Sequence, residues 1–437
     1  MDHSSTLPQH PSSQDRTAWA GYWQEQGQPW RTEPEIDEER QQYLVKLRAI
    51  APDIEKDIYP FKGVKLSRAD FEWLIAIHED DCEPGKSSDE KQRERAGLDM
   101  RGADLREVDL SSLPLARLLG GEILSQAWLP AEHAQRYPAS IHLEEANLHD
   151  VHLEGANLTY AHLEGANLYR AHLEEADLHY ARLEGARLIE AHLEKVQFYR
   201  AHLEDADLLE AHLDGADLTR AFLNGATRLR KVTLGNKQQG VVSVAGVHWN
   251  DADLSVVDWT QVRVLGDETE AHQPTTGQGK KKTGGQRLEE YQITVQAYRR
   301  LALALQAQGL TEQGTRFAYR AQKLERVVFR RQGRVFSYLF SWFLYLLAGY
   351  GYKPARSFLA YLLIIGTFTI IYSALGPHLS WNEALVISMT AFHGRGFFPG
   401  TFSPGDPLAL ASAMEAFVGL IIEVTLIATL TQRFFGK

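Results

Sequence analysis

Residues 141–190 read IHLEEANLHDVHLEGANLTYAHLEGANLYRAHLEEADLHYARLEGARLIE, and the same pattern runs on to Leu223. A leucine stands at every fifth position from Leu143 to Leu223, seventeen registers in a row, with Phe198 as the one substitution. Two positions before each comes a small residue, among them Ala146, Ala156, Ala161 and Ala166, with Ile141, Val151 and Val196 as larger members. A period of five fits neither the 3.6 of a helix nor the 2 of a strand, so the chain must turn at fixed intervals and bury one leucine per segment. That describes a solenoid.

The segments ANLTY, ANLYR, ADLHY and ADLTR closely resemble the pentapeptide-repeat family, whose motif is Ala-(Asn/Asp)-Leu-x-x. The resemblance implies a right-handed quadrilateral β-helix with one pentapeptide per side and four per coil. With coils stacked about 4.8 Å apart, seventeen registers make a rod of roughly 20 Å. The register also appears upstream in GADLREVDL (Leu105, Leu110) and downstream in NDADLSVVDW (Leu254, Trp259), so the expected domain is 97–263, interrupted by inserts. A β-helix end exposes unpaired strand edges and needs a cover. The helical stretch 38–96, with Ser67 as an N-cap before Phe71, Leu74 and Ile75, is the candidate; residues 1–37, polar and rich in Pro, Gln and Ser, are expected to be disordered.

A second period, of ten, places His142, His152, His162, His172, His192, His202 and His212 in one series, broken by Arg182 and Phe222, with an acid two positions on, from Glu144 to Asp214. Ten residues is half a coil, which predicts two opposite outward-facing columns. One reading is a metal-binding or pH-sensing ladder, since histidine titrates near neutrality. The other, adopted here, is the solvated face of a copied repeat, so neither metal nor cofactor is expected.

The 437 residues carry 46 basic and 57 acidic groups and one cysteine, Cys82, which excludes an intrachain disulfide framework. The net charge of -11 divides into -20 for the first 280 residues and +9 for the rest. No nucleophile–base set, phosphate loop or metal spacing is present, so an enzyme is not expected. Some pentapeptide-repeat proteins imitate DNA and bind topoisomerase, but that role fits poorly with the membrane segments described next, and no nucleic-acid partner is expected.

Residues 264–286 read as a flexible linker, 287–334 as a helical hairpin and 335–352, aromatic and flanked by Arg and Lys, as an interfacial helix. Residues 353–437 contain two apolar spans, 357–376 and 408–430, each long enough to cross a bilayer. Arg326, Arg330, Arg331, Arg334, Lys353 and Arg356 precede the first span, and Arg433 and Lys437 follow the second, while only Arg395 lies between them. The positive-inside rule therefore predicts a multi-pass cell-membrane protein with both termini in the cytoplasm.

Between the spans, Asn382 to Phe392 is too short to cross and is followed by His393-Gly394-Arg395-Gly396. Irregular backbone at membrane depth is tolerated only where it lines water or is buried in protein. Span, half-helix, glycine loop and span resemble the two-transmembrane pore-loop channels of the potassium-channel type, with the pore loop at 381–399. The resemblance implies a homotetramer with a cytoplasmic regulatory rod that has a ligand or protein partner of its own. It places a selectivity filter at His393, Gly394, Arg395, Gly396 and Phe397, a pore helix carrying Glu383, Thr390 and Phe392, and a hinge at Gly419. Because the family's Thr-Val is Phe392-His393 here and its Tyr is Arg395, potassium selectivity is not expected. Glu415, Gly419 and Glu423 share one helix face, and an intramembrane carboxylate marks either a partner or an ion path, which leans the permeant ion toward a cation. The alternatives are a membrane-anchored pentapeptide-repeat scaffold and an anion channel with Arg395 in its filter.

Overall fold

The computed structural model describes residues 11, 15–51, 58–79, 97–121, 140–276, 279–376, 378–394 and 405–434, and the chain divides into two compact units, Met1–Lys280 and Lys281–Lys437.

In the first unit the period-five run closes on itself every twenty residues. Parallel bridges join His142 to His162, Asn147 to Asn167, His152 to His172 and Asn157 to Asp177, one bridge per side on four sides. Backbone hydrogen bonds of 2.7–3.1 Å tie each of these sides to the next coil, as from Leu143 N–H to the His162 carbonyl. The leucines of the run and Phe198 are at most 5% exposed and the alanines 0%, so the core is a column of leucines and alanines with no solvent access. Each side is too short to be a strand; among the described residues the strands are two-residue pieces, β1 (Gly235–Asn236) and β2 (Gly240–Val241), paired as a hairpin.

The corner of every pentapeptide is a left-handed residue. From position 145 to position 220 every fifth residue has positive φ, yet only Gly155, Gly165, Gly185 and Gly215 among them are glycine. A non-glycine residue there costs on the order of 1 kcal/mol. The interlocking bridges hold residues such as Tyr160 and Glu190 in it.

The register expected upstream is present: Asp104 pairs with His142 and Asp109 with Asn147, each 38 positions on instead of 20. Downstream, Asp207 pairs with Arg228, one residue late, and the extra residue is absorbed where the buried Thr227 hydroxyl donates to the Leu203 carbonyl. The β1–β2 hairpin is a second insertion, after which Asp217 pairs with Ser243 and Phe222 with His248.

Both ends of the solenoid are covered. At the amino end lie α1 (Arg16–Glu25), α2 (Glu38–Arg48) and α3 (Arg68–Glu79). Phe71, Leu74 and Ile75 of α3 are buried, as the helical spacing predicts, and Arg68 donates to the Asp109 and Ser111 carbonyls of the coil beneath. The expectation of disorder over 1–37 is corrected for α1. Trp19 and Trp23 are buried there, the Arg31 guanidinium lies 3.5 Å over the Trp23 ring, and the buried Glu72 carboxylate accepts from the Thr32 and Glu33 amides. Two aromatic anchors within a polar stretch supply the burial that average composition hides.

At the other end the stretch expected as a linker begins with α4 (Gly266–His272). Its Asp267 carboxylate accepts from the Val244 and Ala245 amides, which satisfies two backbone donors at the end of the coil stack. Burial pushes the Asp267 carboxyl up to about 6, against the pull of those two amides.

In the second unit, α5 (Gly284–Ala307) and α6 (Thr311–Arg331) form the expected hairpin, closed by Tyr298 against Phe317 with a ring separation of 6.0 Å. α7 (Val335–Ala348) ends at the left-handed Gly349 and leads into α8 (Pro354–Leu375), α9 (Trp381–Phe392) and α10 (Pro407–Phe434). Helices α8 and α10 are long and apolar enough to cross a membrane. Only 17% and 22% of their most apolar stretches are buried, unlike the core helices of a water-soluble protein.

Candidate functional site

The short helix α9 packs against both long helices. Tyr372 of α8 packs with Ala384 and Ile387 of α9 and Leu408 and Ala411 of α10, and a second cluster joins Ile365, Phe392 and Ile422. Helix α9 opens with a capping box in which the Ser380 side chain receives the Glu383 amide and the Glu383 carboxylate receives the Ser380 amide. Glu383 is therefore engaged at its own helix terminus.

At the centre of the three-helix contact sits the Glu415 carboxylate of α10, fully buried. It accepts from the Tyr372 hydroxyl at 2.7 Å and from the Ser388 hydroxyl, which also lies 3.0 Å from the Ile365 carbonyl. One turn on, Gly419 lies beneath the Phe392 carbonyl. A further turn on, Glu423 contacts Nδ1 of His393, and His393 Nε2 lies 3.4 Å from the Tyr361 hydroxyl. The α10 face carrying Glu415, Gly419 and Glu423 thus runs along α9, meeting Ser388, Phe392 and His393 in turn.

Of the residues expected in the filter, His393 and the left-handed Gly394 are exposed just past the end of α9, while Arg395, Gly396 and Phe397 lie outside the described residues. Of the residues expected in a pore helix, Phe392 of α9 is buried, and the Thr390 hydroxyl turns back to the Val386 and Ile387 carbonyls. Tyr372, Ser388 and Tyr361 were not singled out in the sequence. A serine and two tyrosines inside apolar helices carry no signal until a carboxylate or imidazole is brought to them.

Helix α7 presents an exposed apolar face, Phe336, Leu339, Phe340 and Leu346, and a cationic rim. The Arg326 guanidinium lies 4.0 Å over Trp342, and Arg356 lies over Tyr345 while donating to its carbonyl at 2.9 Å. Aromatic rings between arginines beside an apolar face suit a water–lipid boundary.

In the first unit the histidine columns form as the ten-residue period predicts. His152, His172, His192 and His212 stack on one ladder with ring separations of 4.6–5.1 Å. His142 and His162 lie on another, followed by Arg182, His202, Phe222 and His248. His142, His152, His162, His172 and His202 bond through Nδ1 to the acid two residues on, at 3.0 Å for His152 with Glu154 and 3.4 Å for His172 with Glu174, while His192 lies 3.7 Å from Glu194 and His212 faces the Thr233 hydroxyl. The Glu154 carboxylate holds the His152 imidazole above its usual range, and Glu194 does the same for His192.

The pentapeptide-repeat family model matches residues 141–174, 156–194, 166–205 and 197–227, eight copies in all. Among solved structures, the chain is 28% identical to the pentapeptide repeat protein Rfr23 of the cyanobacterium Cyanothece 51142, over 33% of this chain and 90% of that one, with a TM-score of 0.20. It is 22% identical to HetL of Nostoc sp. strain PCC 7120, a pentapeptide repeat protein involved in heterocyst differentiation regulation, over 36% of this chain and 76% of that one, with a TM-score of 0.19. A search of curated proteins finds no match. Residues 141–227 of the chain are pentapeptide repeats, built as a β-helix and followed by two helices long and apolar enough to span a membrane.

Proposed function

We propose that copies of this chain assemble around an axis, four by resemblance to the pore-loop channels, into a membrane ion conduit whose pentapeptide-repeat rod is a cytoplasmic regulatory module. The observation that carries this reading is α9: twelve residues, too few to cross a bilayer, packed on both long helices and ending at an exposed His393-Gly394 turn. Two spans and one half-helix do not surround a conduit, so the reading requires self-assembly. Glu423, half-exposed beside His393, together with the negative end of the α9 dipole, favours cations. In this reading the protein is a multi-pass cell-membrane protein, and the basic residues before α8 and after α10 support a cytoplasmic location for both termini by the positive-inside rule.

The test is ion flux through liposomes reconstituted with the full chain, read beside particle symmetry in detergent. Rings of copies with flux altered by Gly396→Ala or Arg395→Ala support the conduit. Correctly inserted chain that passes no ion under any stimulus refutes it.

A second reading is a membrane-anchored scaffold. It is favoured by the use of Glu415 and Gly419 in seating α9, which takes two-thirds of the face expected to line an inner pore. Monomers or dimers in detergent would support it.

A further inference from the structure

Three sets of side chains on the solenoid bring metal-ligand atoms together: His142, Glu144 and His162; His152, Glu154 and His172; His172, Glu174 and His192. In each set two imidazole nitrogens and one carboxylate oxygen lie within 4.8 Å of one another. Two of the sets share His172 and form one continuous column, with rings nearly parallel at 6° and 4°.

Three observations distinguish this column from a merely solvated face. The second oxygens of Glu154 and Glu174 are buried and have no hydrogen-bond partner among the described residues. Carboxylates on adjacent coils stand about 4.8 Å apart, and like charges directly across a pairing destabilise it. The column also lines a groove of about 500 Å³ with Arg117, Lys195 and Gln239. Gln239 belongs to the β1–β2 insertion, whose turn rests on Gly215 so closely that a Cβ there would stand 2.3 Å from the Gln239 carbonyl oxygen. An irregular segment thus walls an otherwise open ladder. The nearby cation Lys195 is engaged with Glu175 at 2.9 Å.

We propose that the column His152–Glu154–His172–Glu174–His192 binds one divalent transition metal of the zinc(II) class, held by two imidazoles and a carboxylate from two adjacent coils. Imidazole with carboxylate suits zinc and its neighbours, in contrast to the all-oxygen sets of calcium and magnesium. Ligand bonds of about 2.0–2.2 Å place tetrahedral donors about 3.4 Å apart, so donors now up to 4.8 Å apart must close around the ion by side-chain rotation. Three protein ligands leave a fourth position to water or to a partner's side chain. Because both sets use His172, the column takes one ion at a time. The bound ion cross-links coils otherwise joined by backbone hydrogen bonds.

The test uses the full chain in detergent, free of any histidine tag and stripped with a chelator, titrated with zinc(II) by calorimetry. The expected result is saturable uptake that falls by one equivalent in His172→Ala, which breaks both sets, and stays unchanged in His202→Ala, whose ladder neighbours are Arg182 and Phe222. The doubly substituted Glu154→Gln, Glu174→Gln chain keeps side-chain shape and is expected to bind at least about tenfold more weakly; it serves if His172→Ala fails to fold. No saturable uptake by the wild-type chain overturns the site. So does equal uptake by a folded His172→Ala, or an equal loss in His202→Ala.

Discussion

The carbonyl oxygen of Phe392, at the end of α9, lies so close to Gly419 of α10 that a Cβ at that glycine would stand 2.1 Å from it. Gly419, where family resemblance implies a hinge, is where α9 seats against α10. Gly419→Ala must push α9 away or distort α10, at a cost of about 1–3 kcal/mol. Gly366→Ala, in α8 with nothing within 4 Å, is the control, and is expected to be neutral or stabilising by up to ~1 kcal/mol. Thermal unfolding of both variants in detergent checks this; equal midpoints would show that α9 is not held by this contact.

Glu415 is the common acceptor for Tyr372 and Ser388. Glu415→Ala removes the buried Tyr372 hydroxyl's acceptor and leaves Ser388 only the Ile365 carbonyl, and is expected to cost about 1–3 kcal/mol, with Glu415→Gln, which keeps one acceptor oxygen, costing less. Tyr372→Phe in the Glu415→Ala background should add little, because the partner is already gone. A double-mutant cycle on unfolding midpoints reads the coupling directly, and strict additivity would rule out the shared carboxylate.

The carboxyl-terminal cover of the solenoid is expected to be pH-dependent. Asp267 titrates at about 6 when folded against an ordinary 3.8, so between those values the folded state holds the extra proton and stability rises as pH falls. The span of roughly two pH units corresponds to at most about 3 kcal/mol. Burial is the leading cause, and the negative charge of Asp217 adds to it. Amide exchange at Val244 and Ala245, corrected for the intrinsic pH dependence, should show greater protection at pH 5 than at pH 7. The opposite trend would contradict the assignment.

The leucine column predicts a uniform sensitivity. Leu178 is 0% exposed, and Leu178→Ala is expected to lose about 2–5 kcal/mol, whereas Arg220→Ala at an exposed left-handed corner should change stability by less than about 0.5 kcal/mol. Chemical denaturation followed by far-UV circular dichroism separates the two.

The solenoid was legible from Leu143 onward because burial of one leucine per side writes its geometry directly into residue spacing. The two apolar helices were legible for a similar reason: hydrophobic length is a one-dimensional property. The left-handed corners were not, since most carry residues such as Glu145, Arg170 or Tyr180, which the interlocked coils, not local preference, hold in place. Nor was α4, where seven residues with four charged or titratable side chains are ordered by the two backbone amides that Asp267 receives. At the half-helix, the shared face of Glu415, Gly419 and Glu423 was readable from their spacing. What faces it, Ser388, Phe392 and His393, depends on how three helices pack and leaves no period in the sequence.

The twenty-residue bridge spacing gives the rod a natural unit of length. Removing 161–180 as a block would pair His142 with Arg182 and Asn147 with Arg187, residues already on the same ladders, and so join two halves that match. The ends would draw together by one coil, about 4.8 Å, with no new kind of contact to design. The β1–β2 hairpin shows that surplus chain leaves the stack while the ladders continue on either side. The molecule thus behaves as a ruler that can be cut or extended at whole graduations, with its attachments hung from the edge.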